Sequence, residues 1–292
     1  LTFHNSVQDS PVADTRTERG HEILAGLLGW ADIVVLNQLP SVRQSMGVDA
    51  ATLERDHPSL ISVSASTYGD SGPLGGRPGI DPVAQAFSGF MAVTGMPGGE
   101  PLKAGPPVAD SVASLLVAVG ALAALWARTS SGEGQHVDVA LIDGLIHIQA
   151  PYVGQYFLLG TQQARHGNSM DWYAPYGSYD CADGRCLQLA CHNDKFFGRL
   201  AAAIGQPELV NHPSFSANET RLANRAELDD IIAAFCATAD RSSILDALWS
   251  HDVIAGPINT YDEVFAEPQV QHNEMVVTFD RPEGQVRTSG VP

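Results

Sequence analysis

The chain has 292 residues, of which 44% are hydrophobic and 17% are charged, a composition typical of a globular protein with a substantial core. Its formal net charge of −17 argues against a nucleic-acid or anionic-membrane partner, because both require a basic surface. The 4 cysteines are too few for a disulfide framework, so we expect a cytoplasmic protein.

The first half of the chain alternates helix and strand patterns. A helical pattern through Ile23 and Leu28 leads to the apolar run 33–36, and a helix near 51–55 leads to a second strand at 60–65. Such alternation predicts a parallel sheet with helical crossovers. The loop 68–79, rich in Gly and Pro, leaves the second strand at the edge where ligands of open α/β sheets bind.

A long apolar run at 112–127 follows this loop. It is shorter than the roughly 20 residues of a membrane span, and we interpret it as a buried helix that neighbouring elements pack closely. A strand at 136–140 and a helix at 141–159 come next.

The pattern changes near residue 161. A hairpin is predicted at 176–190 with its turn at Asp183-Gly184, followed by helical patterns at 195–204, 221–239 and 242–249. We therefore predict a large α/β domain over residues 1–160 and a smaller α+β domain over residues 161–292.

Asp110 is the first candidate for chemistry, since it lies directly ahead of the long apolar helix. In a first helical turn, the macrodipole and the free N–H groups hold a carboxylate ionised, which would make it a usable nucleophile. The alternative is an ordinary helix cap, the commonest use of Asp at such a position.

Two other patterns favour structural interpretations. The string Gly69-Asp70-Ser71-Gly72-Pro73 resembles the surroundings of a serine-protease nucleophile, but it follows a parallel strand and not a strand of a double β-barrel. The residues Cys181, Cys186, Cys191 and His192 lack the usual CxxC spacing of a zinc site. We interpret them as strand residues and expect no metal.

Several strings occur together in a characteristic order. They are ADIVVLN at 31–37, ISVS at 61–64, RPGID at 77–81, AD at 109–110, GEGQHVDVALID at 132–143, DG at 183–184, NDKF at 193–196, NR at 224–225 and AGPIN at 255–259. Over nearly the whole chain they resemble the family III (CaiB/BaiF-type) CoA-transferases, the group that includes formyl-CoA transferase and α-methylacyl-CoA racemase. The resemblance implies a Rossmann-like parallel-sheet large domain, a smaller α+β domain and an interlocked homodimer.

The resemblance also implies a chemistry. Asp110 would attack the thioester of an acyl-CoA and carry CoA as an aspartyl thioester to a free carboxylic acid. Contacts to CoA are expected from Ala13, Asp14, Arg16, Asn37, Gln38, Leu39, Arg77, Pro78, Gly79 and Ile80. The two arginines in this set would give an acidic protein the local positive charge that phosphates require.

Two departures from the family pattern bear on the alternatives. Racemases of the family have a His where this chain has Ile80 and a Glu where it has Asn193, so an acyl-CoA racemase or epimerase is disfavoured. Relatives begin with a further strand and helix and end with a return segment. The chain is therefore expected to be either a piece of a longer protein or a natural half, including a catalytically silent partner subunit.

Overall fold

The computed structural model describes residues 13–281 and 284–290. The contacts divide this part of the chain into two compact units, with the division between Gly167 and Asn168. It falls a few residues after the predicted boundary because the preceding segment is tied to the first unit. Arg165 donates hydrogen bonds to the carbonyl oxygens of Ala92 at 3.1 Å and Gly99 at 2.7 Å.

Three parallel strands form the sheet of the first unit, in the order β1-β2-β3. They are β1, Ile33–Leu36; β2, Ile61–Ser66; and β3, His136–Ala140. The first four residues of the central strand β2 are all buried, as is typical of a strand covered on both faces. The parallel sheet that the alternating pattern predicted is confirmed.

The helices of the first unit connect and cover these strands. As far as the structure describes them, they are α1, Glu18–Trp30; α2, Pro40–Met46; α3, Ala50–Asp56; α4, Asp81–Phe87; α5, Phe90–Val93; α6, Val108–Ser131; α7, Leu141–Ile148; and α8, Ala150–Leu159. The single helix predicted at 141–159 is two helices, because the chain leaves helical geometry at Gln149 and Pro151 lies in the first turn of α8.

Helix α6 is longer than its apolar run, and among the described residues its neighbours lie on one side of it. Its small residues pack against β2, β3 and α7. At Gly120 a Cβ would lie 2.8 Å from Val137 Cγ1, so only glycine permits this approach. The opposite face exposes a row of large apolar side chains, 62% to 78% accessible, namely Leu115, Val119, Leu122 and Trp126.

This exposed row corrects the prediction that α6 is a buried helix. A helix that is apolar around its whole circumference does not indicate which side its own chain covers. By length and hydropathy alone α6 also suits a membrane span, but a single helix of this kind is weak support. Its packing on the strands makes it a helix of the α/β unit.

The second unit contains an antiparallel sheet in the order β4-β5-β6. The strands are β4, Tyr176–Asp180; β5, Cys186–Ala190; and β6, Ala255–Pro257. The predicted hairpin between β4 and β5 is confirmed, and its turn uses the left-handed conformation of Gly184, with φ of 73°. A second hairpin, of β7, Val276–Arg281, and β8, Gly284–Ser289, was not predicted.

The second unit also contains helices, several of which enclose a buried hydrophobic cluster together with this sheet. They are α9, Asp194–Ala203; α10, Asn218–Ala223; α11, Arg225–Cys236; α12, Arg241–Trp249; α13, Tyr261–Ala266; and α14, Pro268–His272, with a 3-10 turn at Pro207–Asn211. The predicted helix 221–239 is interrupted at Asn224. All four cysteines are free thiols, and the described residues contain no cluster suited to a metal ion.

Candidate active site

A pocket of about 330 Å³ opens at the carboxyl ends of the parallel strands. Its walls come from the segment after β1, the end of β2, the following Gly-rich loop, the first turn of α6 and the start of α7. The lining residues are Asn37, Gln38, Leu39, Ser66, Thr67, Arg77, Pro78, Gly79, Ile80, Asp110 and Leu141. This edge is where open parallel sheets bind ligands, because the strand ends and the loops that follow them converge there.

Most of the residues that the sequence singled out therefore lie together. The predicted residues that line the pocket are Asn37, Gln38, Leu39, Arg77, Pro78, Gly79, Ile80 and Asp110. The structure does not bring Ala13, Asp14 and Arg16 into this group. The Arg16 side chain is exposed and its Nε lies 2.9 Å from Asp14 Oδ1. A ligand role for these three residues stays a prediction.

Three lining residues were missed from the sequence, namely Ser66, Thr67 and Leu141. Ser66 is the last residue of β2, Thr67 follows it, and Leu141 begins α7 directly after β3. Because ligands of parallel sheets bind at the carboxyl ends of the strands, this position was the sequence signal that could have identified them. Ser66 Oγ is buried and has no hydrogen-bond partner among the described residues. A buried hydroxyl of this kind is available to a ligand.

Asp110 does not act as a helix cap. The N-cap residue of α6 is Pro107, and the carboxylate that satisfies the helix N-terminus belongs to Asp81. Asp81 Oδ1 accepts hydrogen bonds from the backbone N–H groups of Ala109 at 2.7 Å and Asp110 at 3.4 Å. Among the described residues none donates a hydrogen bond to the Asp110 carboxylate, which is exposed at the pocket.

The position of Asp81 is itself fixed by a buried amide. Gln85 Nε2 donates to Asp81 Oδ2 at 2.6 Å, and Gln85 Oε1 accepts from the backbone of Ala104 at 2.8 Å. Asp81 and Gln85 are both buried. This chain of contacts ties the first turn of α6 to α4, and thereby fixes the backbone that carries Asp110.

Two features of the fold that the sequence did not reveal act on the pKa of the Asp110 carboxyl. Partial burial raises the pKa of the Asp110 carboxyl, and the negative charge of Asp81 raises it further. The sequence-based expectation considered only the macrodipole and the free N–H groups, which favour the ionised form, whereas desolvation and the charge of Asp81 act in the opposite direction. A carboxylate with a raised pKa is more basic, and hence a better nucleophile once it is deprotonated.

Gly79 is required by close packing at the pocket wall. A Cβ at this position would lie 2.4 Å from Thr67 Oγ1, and Thr67 is only 4% exposed. We expect Gly79→Ala to lower the free energy of unfolding by about 1–3 kcal/mol, because the clash forces the loop or the buried Thr67 to move. Chemical denaturation measures this. Gly105→Ala, where a Cβ meets open space, is the control, and equal stabilities of the two variants would contradict the packing described.

The sequence model of CoA-transferase family III matches residues 3–292. The chain belongs to CoA-transferase family III. Succinyl-CoA–D-citramalate CoA-transferase of Chloroflexus aurantiacus is 32% identical over 281 residues, which are 95% of this chain and 69% of that protein. Succinate–glutarate CoA-transferase of Agrobacterium fabrum is 34% identical over 282 residues, which are 97% of this chain and 70% of that protein.

A solved family member confirms the fold class. The crystal structure of a CAIB/BAIF family protein from Brucella suis has a TM-score of 0.85 and 35% sequence identity, covering 98% of this chain and 74% of that one. The protein is thus a family III CoA-transferase, and coenzyme A is its substrate. Ile80 lines the pocket, and none of the described lining residues is a histidine.

Proposed function

We propose that this protein transfers CoA from an acyl-CoA thioester to a free carboxylic acid through a covalent aspartyl-CoA intermediate at Asp110. The proposal depends mainly on one observation. A carboxylate without a hydrogen-bond donor among the described residues lies in a pocket at the strand ends, on a backbone fixed by Asp81. Both relatives named above carry succinyl-CoA or succinate in their names, so succinyl-CoA is the first donor to test.

The proposed reaction has two mirrored halves. An Asp110 oxygen attacks the donor's thioester carbonyl, the C–S bond breaks with its electron pair on sulfur, and a mixed anhydride and CoA thiolate form. The thiolate attacks the Asp110 carbonyl carbon, whose bond to the bridging oxygen breaks. This releases the donor acid, which carries away an Asp110 oxygen, and leaves aspartyl-CoA. The acceptor carboxylate reverses both steps and returns one of its own oxygens to Asp110.

The pocket residues suit such a substrate. Arg77 supplies positive charge in a protein of net charge −17, and no described carboxylate forms an ion pair with it. The unpartnered Ser66 Oγ can hydrogen-bond to a polar group of the substrate. Gly79 allows the loop backbone to approach Thr67 closely and so shapes the wall. These residues bind and orient, while Asp110 performs the chemistry.

The covalent intermediate is directly detectable. After incubation with succinyl-CoA and acid quenching, mass spectrometry should find CoA attached to the peptide that contains Asp110. Treatment with hydroxylamine should convert this thioester to a hydroxamate. The adduct should be missing from Asp110→Asn. Turnover in the wild type without any adduct, or an adduct on another residue, would contradict the mechanism.

Two further results would favour the alternative functions. Exchange of the substrate's α-hydrogen with solvent deuterium, without CoA transfer, would indicate a racemase or epimerase. A purified chain that is folded but neither transfers CoA nor forms the adduct would indicate a silent partner subunit.

The pH dependence follows from the raised pKa of Asp110. The nucleophile must be deprotonated, so kcat/KM should fall as pH decreases through that pKa. We expect the acid limb above the ordinary aspartate value of about 3.9. Steady-state rates across the acidic range measure it. An acid limb below the ordinary value would contradict the environment described for Asp110.

We also propose that two copies of the chain associate. The apolar row Leu115, Val119, Leu122 and Trp126 is exposed on α6, and a surface of this kind is typical of an interface. Light scattering should give twice the mass of one chain. Leu122→Glu combined with Trp126→Glu should shift the protein towards monomer, whereas a monomeric wild type at micromolar concentration would oppose the proposal.

A further inference from the structure

Asp70 is the centre of a polar cluster in the first unit. Its carboxylate accepts two hydrogen bonds from the guanidinium group of Arg43, one of them from Nη1 at 2.8 Å to Oδ2. Oδ2 also accepts from Ser64 Oγ at 2.7 Å and lies 3.2 Å from His136 Nε2. Burial opposes ionisation of Asp70, but the bonds from Arg43 and Ser64 outweigh it and hold its pKa below the usual range.

Arg43 depends on this one carboxylate. Its side chain is 3% exposed, and both of its hydrogen bonds to described residues go to Asp70. Its Nε is buried without a partner among the described residues. Removing the charge of Asp70 would therefore leave a buried guanidinium without a counter-charge.

The two residues connect separate walls of the pocket. Arg43 lies on α2, whose N-cap is the lining residue Leu39. Asp70 lies near the start of the loop after β2, which lines the pocket again from Arg77 to Ile80, ahead of α4. The backbone N–H of Asp70 donates to Asp138 Oδ2 at 2.8 Å, which attaches the start of this loop to β3. The ion pair thus joins the segment after β1 to the loop after β2.

We propose that Asp70 is a positioning residue, which through Arg43 holds the segment 37–39 and the loop 77–80 at the separation that CoA binding requires. This inference rests on the proposed function of the pocket. It assigns a role to the string Gly69-Asp70-Ser71-Gly72-Pro73, in which Asp70 and not Ser71 is the functional residue. Asp70 is not a lining residue of the pocket, so it acts through the backbone segments and not on the substrate.

Calorimetric titration with free coenzyme A tests this without requiring turnover. In Asp70→Asn the Kd for CoA should rise about tenfold, an effect of about 1.4 kcal/mol, and thermal stability should fall. The double variant Arg43→Met with Asp70→Asn removes both charges. Its melting temperature should return towards the wild-type value, while its Kd stays about tenfold raised because the two walls are no longer joined. Kinetics with succinyl-CoA should show a raised KM for the donor and a kcat within about threefold of wild type.

The outcomes separate this inference from the function on which it rests. If the wild type does not bind CoA, the proposed function fails. If the wild type binds CoA and the double variant binds within twofold of it, the positioning role fails, even if Asp70→Asn alone does not fold. Asp32→Asn is the matched control, since it breaks another Arg–Asp pair of the same unit, with Arg128, away from the pocket. Its Kd for CoA should equal that of the wild type, and an equal rise in this control would overturn the inference.

Discussion

Asp110→Asn is expected to reduce kcat for CoA transfer by on the order of 10⁴-fold or more, because it removes the atom that forms the covalent bond. The free energy of unfolding should change by less than about 0.5 kcal/mol, because no described residue donates a hydrogen bond to this carboxylate. Coupled assays of CoA transfer and urea denaturation of the same preparations measure the two quantities. Loss of activity without loss of stability is the signature of a nucleophile.

The matched control is Glu227→Gln. Glu227 is an exposed carboxylate in the first turn of α11, in the other unit, so the same chemical change is made at a comparable helical position. Its activity should equal that of the wild type. Full activity in Asp110→Asn or in Asp110→Ala would exclude the proposed chemistry.

Asp81→Ala is expected to destabilise the protein by about 2–3 kcal/mol. It leaves the buried N–H of Ala109 and the amide of Gln85 without their acceptor, and it removes the cap of α6. Activity should fall as well, because the first turn that carries Asp110 loses its anchor. Urea denaturation and steady-state kinetics measure the two effects.

Asp81→Asn separates the electrostatic role of Asp81 from its structural one. The amide oxygen can still accept from Ala109, so we expect a smaller loss of stability. The negative charge beside Asp110 is gone, so the pKa of Asp110 should fall and the acid limb of kcat/KM should move to lower pH. Asp143→Asn, an exposed first-turn carboxylate of α7, should leave the limb in place. An acid limb that Asp81→Asn leaves unmoved or shifts upward would contradict the assigned cause.

The sequence predicted those parts of the fold that depend on local patterns. The patterns at 33–36, 60–65 and 136–140 predicted strands, which the structure confirms. Parallel strands place their carboxyl ends at the same edge of the sheet. The segments that follow the first two of them therefore converge on the pocket. The hairpin was predictable because Gly184 tolerates the left-handed conformation that its turn requires.

Other features depend on residues far apart in the chain. Asp81 caps a helix whose first residue is Val108, and Asp70, in the loop after β2, neutralises Arg43 on α2. No local pattern relates such positions. The direction of the Asp110 pKa shift could not be predicted for the same reason, since it depends on desolvation and on a neighbouring charge that only the folded chain brings close.

In the proposed mechanism an oxygen atom of Asp110 takes part in every turnover. Supplying the acceptor acid with both carboxyl oxygens as ¹⁸O tests this, because the mirrored half-reaction returns one acceptor oxygen to Asp110. After a single turnover and proteolysis, the peptide that contains Asp110 should be about 2 Da heavier, and after many turnovers up to about 4 Da heavier, because either Asp110 oxygen can leave with the donor acid. Formation of the product thioester with no ¹⁸O in that peptide would show that the acids react without Asp110 and would contradict the covalent mechanism.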